Sequence, residues 1–336
     1  MSKIKIGING FGRIGRQLTK LILNSNIVEL VAINDLADAK TSAHLFKYDS
    51  SYGVFNGDVE SNENEIIIDG VKLKKFSERD PSKIKWPESK VDVVVESTGI
   101  FTKKIDAEKH ISGSVKKVII SAPATDEDLT IVLGVNDSSY DPNNHNVISN
   151  ASCTTNCVAP MVKILHQNFS IKCALMSTIH SFTNDQSVLD QPHPDLRRSR
   201  TASANIIPTT TGAAKAVVQV IPEMKGKIDG MAYRVPTASV SVTDLTVMLE
   251  KETTAEEINN AFKNASNNEL KDYLEYSDLP LVSQDFKGNP HSVIFDSLST
   301  IQVQKNFFKV VGWYDNEWGY ANRTFNLLEI VSSKLK

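Results

Sequence analysis

A cysteine and a histidine in this chain of 336 residues have settings that suit nucleophilic catalysis. Cys153 follows Ser152, a residue type that caps helices, at the point where a predicted strand gives way to a predicted helix. Backbone N–H groups and the helix dipole stabilise a thiolate in a first turn, so we expect a lowered pKa and a reactive sulfur. His180 ends another predicted strand and is the candidate general base. The alternatives are a buried structural cysteine and a hydrogen-bonded structural histidine.

The other two cysteines, Cys157 and Cys173, are predicted to lie in the core, because free thiols are commonly buried. An odd, sparse set of cysteines in a long chain is not the pattern of a disulfide framework, which indicates reduced thiols. Cys153 and Cys157 could share a helix face, but no compact second pair of ligands completes a zinc site. The sequence therefore predicts no metal.

Two further segments suit the binding of an anion. Arg234 lies in the mostly apolar segment Met231–Val235, where an unpaired charge is costly, so it needs a salt bridge or a substrate phosphate. Thr211 and Gly212 come directly before a helix predicted to start at Ala213, and hydroxyls with free N–H groups at a helix start bind phosphate. An unusually polar helix cap is the alternative for this second segment.

A glycine-rich turn near the start of the chain predicts a dinucleotide site. Gly10, Gly12 and Gly15 form the pattern G-x-G-x-x-G directly after a predicted strand. Asp35 lies twenty residues beyond Gly15, at the end of the next strand, where it would accept hydrogen bonds from a ribose 2′-OH. Its carboxylate would repel a 2′-phosphate, so NAD is favoured over NADP. The alternative is an ordinary glycine turn with a surface aspartate.

Two other turns follow apolar strands in the same half of the chain. They are Ser97–Gly99, which contains Thr98, and Ser121–Pro123, which begins with Ser121. Ligands of open α/β sheets bind outside the carboxyl ends of the strands, so we expect both turns to line the cofactor site. Ordinary turn chemistry is the alternative for each residue.

The elements that must position these residues fall into two groups. Strands alternate with short helices up to residue 150, which predicts a parallel sheet in a Rossmann-type dinucleotide-binding domain over residues 1–150. Longer strands and fewer helices follow, which predicts an α+β catalytic domain with a mixed or antiparallel sheet over residues 151–316. A closing helix over residues 317–336 is predicted to pack back on the first domain. The polar segment Ser181–Ala204 is predicted to be a long functional loop.

Composition excludes several classes of protein. The chain is 40% hydrophobic, enough for a core, and its net charge of −3 argues against nucleic acid as the main partner. The basic stretch Leu196–Arg200 is too short to change that conclusion. No run approaches the roughly 18 apolar residues of a membrane span, so no membrane association is expected. The first ten residues show no signal-peptide pattern, so the cytoplasm is the expected location.

Several segments carry a resemblance that covers essentially the whole chain. They are Ile8–Arg16 (INGFGRIGR), Val31–Leu36 (VAINDL), Ala151–Asn156 (ASCTTN), His180–Gln186 (HSFTNDQ), Thr211–Lys215 (TGAAK) and Trp313–Gly319 (WYDNEWG). In these motifs the sequence resembles the phosphorylating glyceraldehyde-3-phosphate dehydrogenases of glycolysis.

The resemblance implies a role for each matched residue. Cys153 is implied as the nucleophile and His180 as its base. The implied NAD contacts are Arg13, Ile14, Asp35, Arg79, Ser121 and, at the nicotinamide amide, Asn316. The implied site for the substrate's phosphate is Thr183 and Arg234, and that for inorganic phosphate is Ser152, Thr154, Thr211 and Gly212, with Arg198 nearby.

The resemblance also implies a reaction and an assembly. A hemithioacetal on Cys153 is oxidised by NAD to a thioester, which phosphate cleaves to give 1,3-bisphosphoglycerate. The loop Ser181–Ala204 resembles one that packs against a neighbouring subunit's cofactor site, so a homotetramer is implied. The sequence departs from the family at Gln191, where NAD-specific members usually have Leu, so the pocket near the adenine ribose would be more polar.

Two other functions compete with this interpretation. An erythrose-4-phosphate dehydrogenase would share the thiol and the cofactor domain but release its product with water, and the run Thr183–Gln186 favours the glyceraldehyde enzyme. A dinucleotide-binding regulator or adhesin without catalysis is the second alternative. The thiol, the base and the two anion sites argue against it.

Overall fold

The computed structural model describes residues 3–335 and separates into two compact units. Unit 1 contains residues up to 131, residues 138–151 and the chain from 321 on. Unit 2 contains residues 132–137 and 152–320. Among residues 3–335 we find no helix with both the length and the apolar character needed to cross a bilayer.

Unit 1 is built on a nine-stranded sheet with short helices between its strands. The strands of this unit are β1 (Ile4–Asn9), β2 (Val28–Asn34), β3 (Tyr48–Asp49), β4 (Gly53–Val54), β5 (Val59–Ser61), β6 (Glu65–Ile68), β7 (Val71–Phe76), β8 (Val93–Glu96), β9 (Lys117–Ile120), β10 (Leu129–Thr130) and β11 (Val147–Ser149). Strands β3 and β4 pair with each other in a separate two-stranded sheet, and the others form the nine-stranded sheet. Its helices are α1 (Arg13–Ile22), α2 (Ala39–Lys47) and α3 (Lys104–Ala107), with 3₁₀ turns that include Trp86–Ser89 and Glu108–His110.

The strand order of this sheet is β10-β11-β9-β8-β1-β2-β7-β6-β5. All pairs from β10 to β7 are parallel, which confirms the predicted α/β architecture, and β5 and β6 add antiparallel strands at one edge. The chain leaves β1 for β2 on one side and later returns to β8 on the other. The carboxyl ends of β1, β2 and β8 therefore surround a topological switch point, where ligands of such sheets bind.

Two local predictions in unit 1 have different outcomes. The sequence Asp69–Gly70 predicts a hairpin, and it joins β6 to β7 with φ of +48° and +79° at the two residues, as a tight primed turn requires. The sequence Thr102–Ile111 predicts a single helix, and that prediction is too long. The α-helical part is only α3, and a 3₁₀ turn follows directly.

Unit 2 is built on a seven-stranded mixed sheet in the order β13-β14-β12-β15-β18-β17-β16. Its elements are α4 (Cys153–Phe169), β12 (Ile171–Ser181), β13 (Ile207–Thr210), α5 (Ala213–Val220), β14 (Ile228–Val235), β15 (Ser241–Leu249), α6 (Ala255–Asn267), β16 (Leu274–Ser277), β17 (Val293–Gln304) and β18 (Phe307–Tyr314). The pairs β12–β14 and β16–β17 are parallel and the other pairs are antiparallel, which confirms the prediction of a mixed sheet.

The core position predicted for Cys173 is wrong, because its side chain is exposed. The register of β12 against β15 shifts between Ile171 and Cys173, so β12 contains one extra residue there, and this changes which face of the sheet the following side chains occupy. From Ala174 to His180 the even-numbered residues are buried, and Cys173 therefore falls on the outer face. Cys157 is buried inside α4, as predicted.

The last helix, α7 (Trp318–Ser333), has most of its length in unit 1. Within that unit, Ser25 Oγ donates to Glu329 Oε1 at 2.8 Å and Asn150 Nδ2 donates to Thr324 Oγ1 at 3.0 Å. These bonds connect the end of the chain to segments that lie far earlier in the sequence.

Candidate active site

The proposed nucleophile and base lie together in unit 2. Cys153 is the first residue of α4, and the Ser152 side chain caps this helix by accepting a hydrogen bond from Thr155 N at 3.0 Å. His180 lies near the carboxyl end of β12 and is buried. The Sγ atom of Cys153 is 3.4 Å from Nε2 of His180, within reach of a proton transfer.

The other ring nitrogen of His180 determines its tautomer. Nδ1 lies 2.6 Å from the Ser181 carbonyl oxygen, and we assign the proton to Nδ1 as the donor of that bond. Arg234 Nη1 donates to the same carbonyl at 3.0 Å, and it also lies 2.8 Å from Nδ1, a contact that favours the opposite tautomer because a guanidinium can only donate. Burial, with the Arg234 charge as the second cause, lowers the pKa of His180 to about 3. The ring is therefore neutral at physiological pH, with Nε2 free to accept the thiol proton.

The lowered pKa that the helix position predicts for Cys153 is not what the structure gives. Burial raises the pKa of the thiol, and this outweighs the opposing effects of Arg234 and of the Thr154 and Cys153 backbone N–H groups. The pair is thus a neutral thiol facing a neutral imidazole. Attack by sulfur requires that His180 take the proton as the bond to carbon forms.

A buried tyrosine connects the helix of the thiol to the strand of the base. The hydroxyl of Tyr314, at the end of β18, is hydrogen-bonded to Thr154 Oγ1 at 2.9 Å and to Thr178 Oγ1 at 2.8 Å. Thr154 follows Cys153 on α4, and Thr178 precedes His180 by two residues on β12. Burial raises the pKa of Tyr314, so the phenol stays protonated and can serve as a fixed link.

Arg234 also has the features of an anion-binding residue. It is the register partner of His180 in the parallel pair β12–β14, which places the guanidinium beside the imidazole. Its Nε atom is buried and has no hydrogen-bond partner within residues 3–335. An unsatisfied cationic donor next to a nucleophile is suited to a substrate phosphate.

Arg198, the other predicted cation, is held by its own loop. Its guanidinium pairs with the Asp185 carboxylate, donates from Nε to Thr209 Oγ1 at 2.9 Å and donates from Nη2 to Thr210 O at 3.1 Å. The loop between β12 and β13 contains no helix or strand, as predicted. An anion at Arg198 would have to displace or share these partners.

The remaining predicted anion ligands lie on segments that follow β12 and β13. Gly212 is the N-cap of α5, and Thr211 Oγ1 accepts a hydrogen bond from Ala213 N at 3.2 Å. Thr183 is half-buried near the start of the long loop, and its carbonyl accepts from Gln186 N at 2.9 Å. Gln191 lies exposed on the same loop.

Asn316 is fixed by a hydrogen-bonded chain that starts beside the base. Ser181 N donates to Ser241 Oγ at 3.1 Å, and Ser241 Oγ donates to Asn316 Oδ1 at 3.0 Å. The orientation leaves the amide NH₂ of Asn316 as the group that can donate to a ligand.

Unit 1 contains a pocket of about 470 Å³ at the switch point of its sheet. Five of the predicted cofactor residues line it, namely Gly10, Gly12, Asp35, Arg79 and Thr98. Arg13, Ile14 and Ser121 are not part of this lining; the Arg13 guanidinium pairs with Asp49 at 2.9 Å.

The shape of the turn fits a dinucleotide. A Cβ atom added to Gly12 would meet no atom within 4 Å, so the backbone there borders open space that a pyrophosphate can approach. Gly10 has a φ of +91° and packs against the Thr98 backbone. Asp35 stabilises the same turn, because Oδ2 accepts from Phe11 N at 2.8 Å and Oδ1 accepts from Ala37 N at 2.9 Å.

Sequence reasoning missed three polar residues beneath this pocket. Asn9 and Glu96, the last residues of β1 and β8, are each 1% exposed, and His110 is fully buried. Glu96 was the one visible signal, since a carboxylate ends the otherwise apolar run VDVVVE. Nothing in the sequence indicated that His110 would be its partner.

Comparison with known proteins gives the same family over both units. Residues 4–104 match the family model described as the NAD binding domain of glyceraldehyde 3-phosphate dehydrogenase. Residues 152–316 match the model described as the C-terminal domain of the same enzyme. Together these matches cover more than half of the chain.

Similar proteins match along nearly their whole length. Glyceraldehyde-3-phosphate dehydrogenase 1 of Bacillus cereus is 59% identical over 330 residues, which is 98% of this chain and 99% of that protein. Glyceraldehyde-3-phosphate dehydrogenase 2 of Streptomyces avermitilis is 56% identical, with 99% of each chain covered. The enzyme of Geobacillus stearothermophilus is 55% identical, with 98% of this chain and 99% of its own covered. The chain therefore belongs to the glyceraldehyde-3-phosphate dehydrogenase family of NAD-dependent oxidoreductases.

Proposed function

We propose that this protein oxidises glyceraldehyde 3-phosphate to 1,3-bisphosphoglycerate with NAD and inorganic phosphate, as in glycolysis and its reverse. The observation that carries the proposal is the 3.4 Å approach of Cys153 Sγ to His180 Nε2, beside the Arg234 guanidinium. A thiol, a base and a fixed cation are the groups that thiol-dependent oxidation of a phosphorylated aldehyde requires. Family membership supports the same substrate and cofactor.

The first half of the mechanism forms a bond to sulfur. Cys153 Sγ attacks the aldehyde carbon while its proton passes through His180 Nε2 to the carbonyl oxygen, which gives a hemithioacetal. His180 then removes the hydroxyl proton as the carbon loses a hydride, and a thioester remains on Cys153. When bound, NAD supplies the hydride acceptor.

The second half returns the enzyme to its starting state. A phosphate oxygen attacks the thioester carbon, the carbon–sulfur bond breaks, and the thiolate recovers its proton from His180. Arg234 stabilises the charge of the bound phosphate groups, and the Cys153 backbone N–H at the start of α4 is available to the developing oxyanion.

The other site residues have proposed roles that follow the family motifs. The unit 1 residues proposed to hold NAD are Gly10, Gly12, Arg13, Ile14, Asp35, Arg79, Thr98 and Ser121, and Asn316 is proposed to bind the nicotinamide amide. Thr183 with Arg234 and the set Ser152, Thr154, Thr211, Gly212 and Arg198 are proposed to hold the two phosphates.

The proposed assembly is a homotetramer in the cytoplasm. Four large apolar side chains of the loop between β12 and β13 support an assembly, since Val188, Leu189, Leu196 and Ile206 are 69–80% exposed. The three unpaired cysteines support a reducing compartment. Sedimentation velocity would test the assembly, because a monomer at micromolar concentration would contradict it.

The deciding assay is NADH formation with and without inorganic phosphate. We expect turnover with glyceraldehyde 3-phosphate and NAD to require phosphate, and NADP to be a poor substitute. Turnover that is independent of phosphate, or a preference for erythrose 4-phosphate, would overturn the proposal. Binding of NAD without turnover of either aldehyde would instead favour a non-catalytic dinucleotide-binding protein.

A further inference from the structure

A chain of buried polar side chains lies beneath the pocket of unit 1. Its members are Trp86, His110, Glu96, Asn9 and Asn34, each no more than 3% exposed. Asn9, Asn34 and the neighbouring residue Thr98 also line the pocket. Buried polar groups are costly unless they are fully paired, so the pairing within this chain needs an explanation.

The Trp86 end of this hydrogen-bonded series determines the protonation of His110. The indole Nε1–H of Trp86 can only donate, and it lies 3.1 Å from His110 Nδ1. Nδ1 must therefore accept, which places the single ring proton on Nε2. That atom lies 3.0 Å from Glu96 Oε2 and donates to it. His110 is thus a neutral imidazole that orients the carboxylate.

The Asn34 end of the series determines the orientation of the Asn34 and Asn9 amides. The backbone N–H of Glu78 donates to Asn34 Oδ1 at 2.8 Å, so the Asn34 NH₂ group faces Asn9. It donates to Asn9 Oδ1 at 2.7 Å, and Asn9 Nδ2 then donates to Glu96 Oε2 at 2.5 Å. Donors from both ends of this hydrogen-bonded series therefore converge on Glu96.

The second carboxylate oxygen of Glu96 holds the edge of the pocket. Oε1 accepts from Thr98 N at 2.8 Å and from Thr98 Oγ1 at 2.5 Å. Thr98 Oγ1 in turn accepts from Ile100 N at 3.0 Å, so every hydrogen of the Thr98 hydroxyl and amide is directed. Four hydrogen bonds therefore reach the two oxygens of Glu96, two on each oxygen.

This carboxylate connects the two turns that form the pocket. Ser97 Oγ donates to Gly10 O at 2.7 Å, and a Cβ atom at Gly10 would lie 2.7 Å from Thr98 N. The glycine turn after β1 and the turn after β8 are therefore in direct contact. Any shift of Thr98 moves the surface on which the glycine turn rests.

We propose that Glu96, oriented by His110, is a positioning residue for dinucleotide binding, because it fixes Asn9 and Thr98 at the two sides of the pocket. The inference rests on the proposed function only in taking this pocket as the NAD site. It predicts that NAD affinity depends on which of these atoms donate and which accept hydrogen bonds, and not only on the volume of the side chains.

The test is Glu96→Gln, which preserves shape but replaces one acceptor oxygen with a donor NH₂ group. We expect the dissociation constant for NAD, measured by calorimetry, to rise on the order of 10–100-fold, because one charged acceptor is lost and a donor faces a donor. At saturating NAD, kcat should change less than the KM for NAD. Alkylation of Cys153 without NAD should be unchanged, since both members of that pair lie in unit 2.

Two variants of His110 test the same inference, because one can keep the hydrogen bonds of the ring and the other cannot. Gln has a donor and an acceptor that can replace both ring nitrogens, so His110→Gln should bind NAD within about threefold of wild type. His110→Phe should resemble Glu96→Gln. In the wild type, ¹⁵N shifts should show Nδ1 of His110 unprotonated and Nε2 protonated.

A buried control separates positioning from general stability. Lys117 is buried in unit 1 and donates to Asn146 Oδ1 at 2.8 Å and His145 O at 2.9 Å, away from the pocket lining. Lys117→Met should lower Tm and leave NAD affinity unchanged.

Wild-type affinity in Glu96→Gln, or equal affinity in the two His110 variants, would overturn the inference. If Glu96→Gln does not fold, the His110 pair decides alone. A wild-type protein that does not bind NAD would refute the proposed function instead.

Discussion

Cys153 Sγ lies 3.4 Å from His180 Nε2, although 27 residues separate the two along the chain. The first turn of α4 supplies the thiol, and the carboxyl end of β12 supplies the imidazole. Both elements belong to unit 2, so the pair depends on the packing of one compact unit.

Removing the base should leave the thiol in place but poorly activated. We expect His180→Asn to lower kcat on the order of 10²–10⁴-fold, because sulfur then attacks without a proton acceptor. Cys153→Ser should have no measurable turnover. Cys173→Ser is the matched control, since that thiol is exposed on the outer face of β12, and it should retain activity. Full activity in Cys153→Ser would contradict the nucleophile assignment.

The raised pKa of Cys153 predicts the pH dependence of its alkylation. Without NAD or substrate, the rate with iodoacetamide should rise with pH and reach its midpoint above the ordinary thiol value of about 8.5. Arg234→Leu should shift the midpoint further up, because the Arg234 charge lowers this pKa. A midpoint below the ordinary value would show that the thiolate is already formed in the free protein.

Tyr314→Phe tests the link between the thiol and the base. The variant keeps the ring but loses the hydrogen bonds to Thr154 and Thr178, so we expect about 1–3 kcal/mol lower stability. A looser Cys153–His180 pair should lower kcat on the order of tenfold. Thermal unfolding and steady-state kinetics check both. Unchanged kcat with lowered Tm would restrict Tyr314 to stability.

Asp35→Asn tests the preference for NAD. The carboxylate accepts from Phe11 N and Ala37 N, and Asn retains only one acceptor oxygen, so NAD should bind about tenfold more weakly. NADP should gain relative to NAD because charge repulsion is removed. Asp38→Asn, at the exposed N-cap of α2, is the control and should keep the wild-type ratio. An unchanged NADP to NAD ratio in Asp35→Asn would refute the discrimination.

Two glycines of the first turn should respond differently to the same substitution. Gly12→Ala adds a methyl group into open space, so the protein should fold with wild-type Tm yet lose NAD affinity. Gly15→Ala would place Cβ 2.3 Å from Gly10 O, so it should destabilise the fold by about 1–3 kcal/mol. Equal Tm values for the two variants would contradict this reading of the turn.

Features that depend on local chemistry were predictable from the sequence. The Ser152 cap, the start of α4 at Cys153 and the hairpin at Asp69–Gly70 need only neighbouring residues, and all three are confirmed. The parallel sheet followed from the alternation of strands and helices. In each case a short pattern carries its own physical reason.

Features that depend on distant packing were not predictable. A register shift in β12 exposes Cys173, and no residue type in that segment indicates that β12 has one residue more than β15 at this point. The raised pKa of Cys153 follows from desolvation of the half-buried thiol by tertiary packing, which outweighs the local helix effect. Glu96 and His110 lie on separate elements 14 residues apart, so their pairing follows no helix or strand period.

The register of β12 and β14 constrains how this chain can change in evolution. His180 is paired with Arg234, and side chains alternate between the faces of a strand. A single-residue insertion or deletion within β14 would turn the guanidinium to the opposite face. The connections before and after that strand have no such constraint from the pairing. Relatives should therefore differ in length within those connections. Within β12 and β14 we expect substitutions but no insertion or deletion, because a change in length would break the pairing of position 180 with position 234.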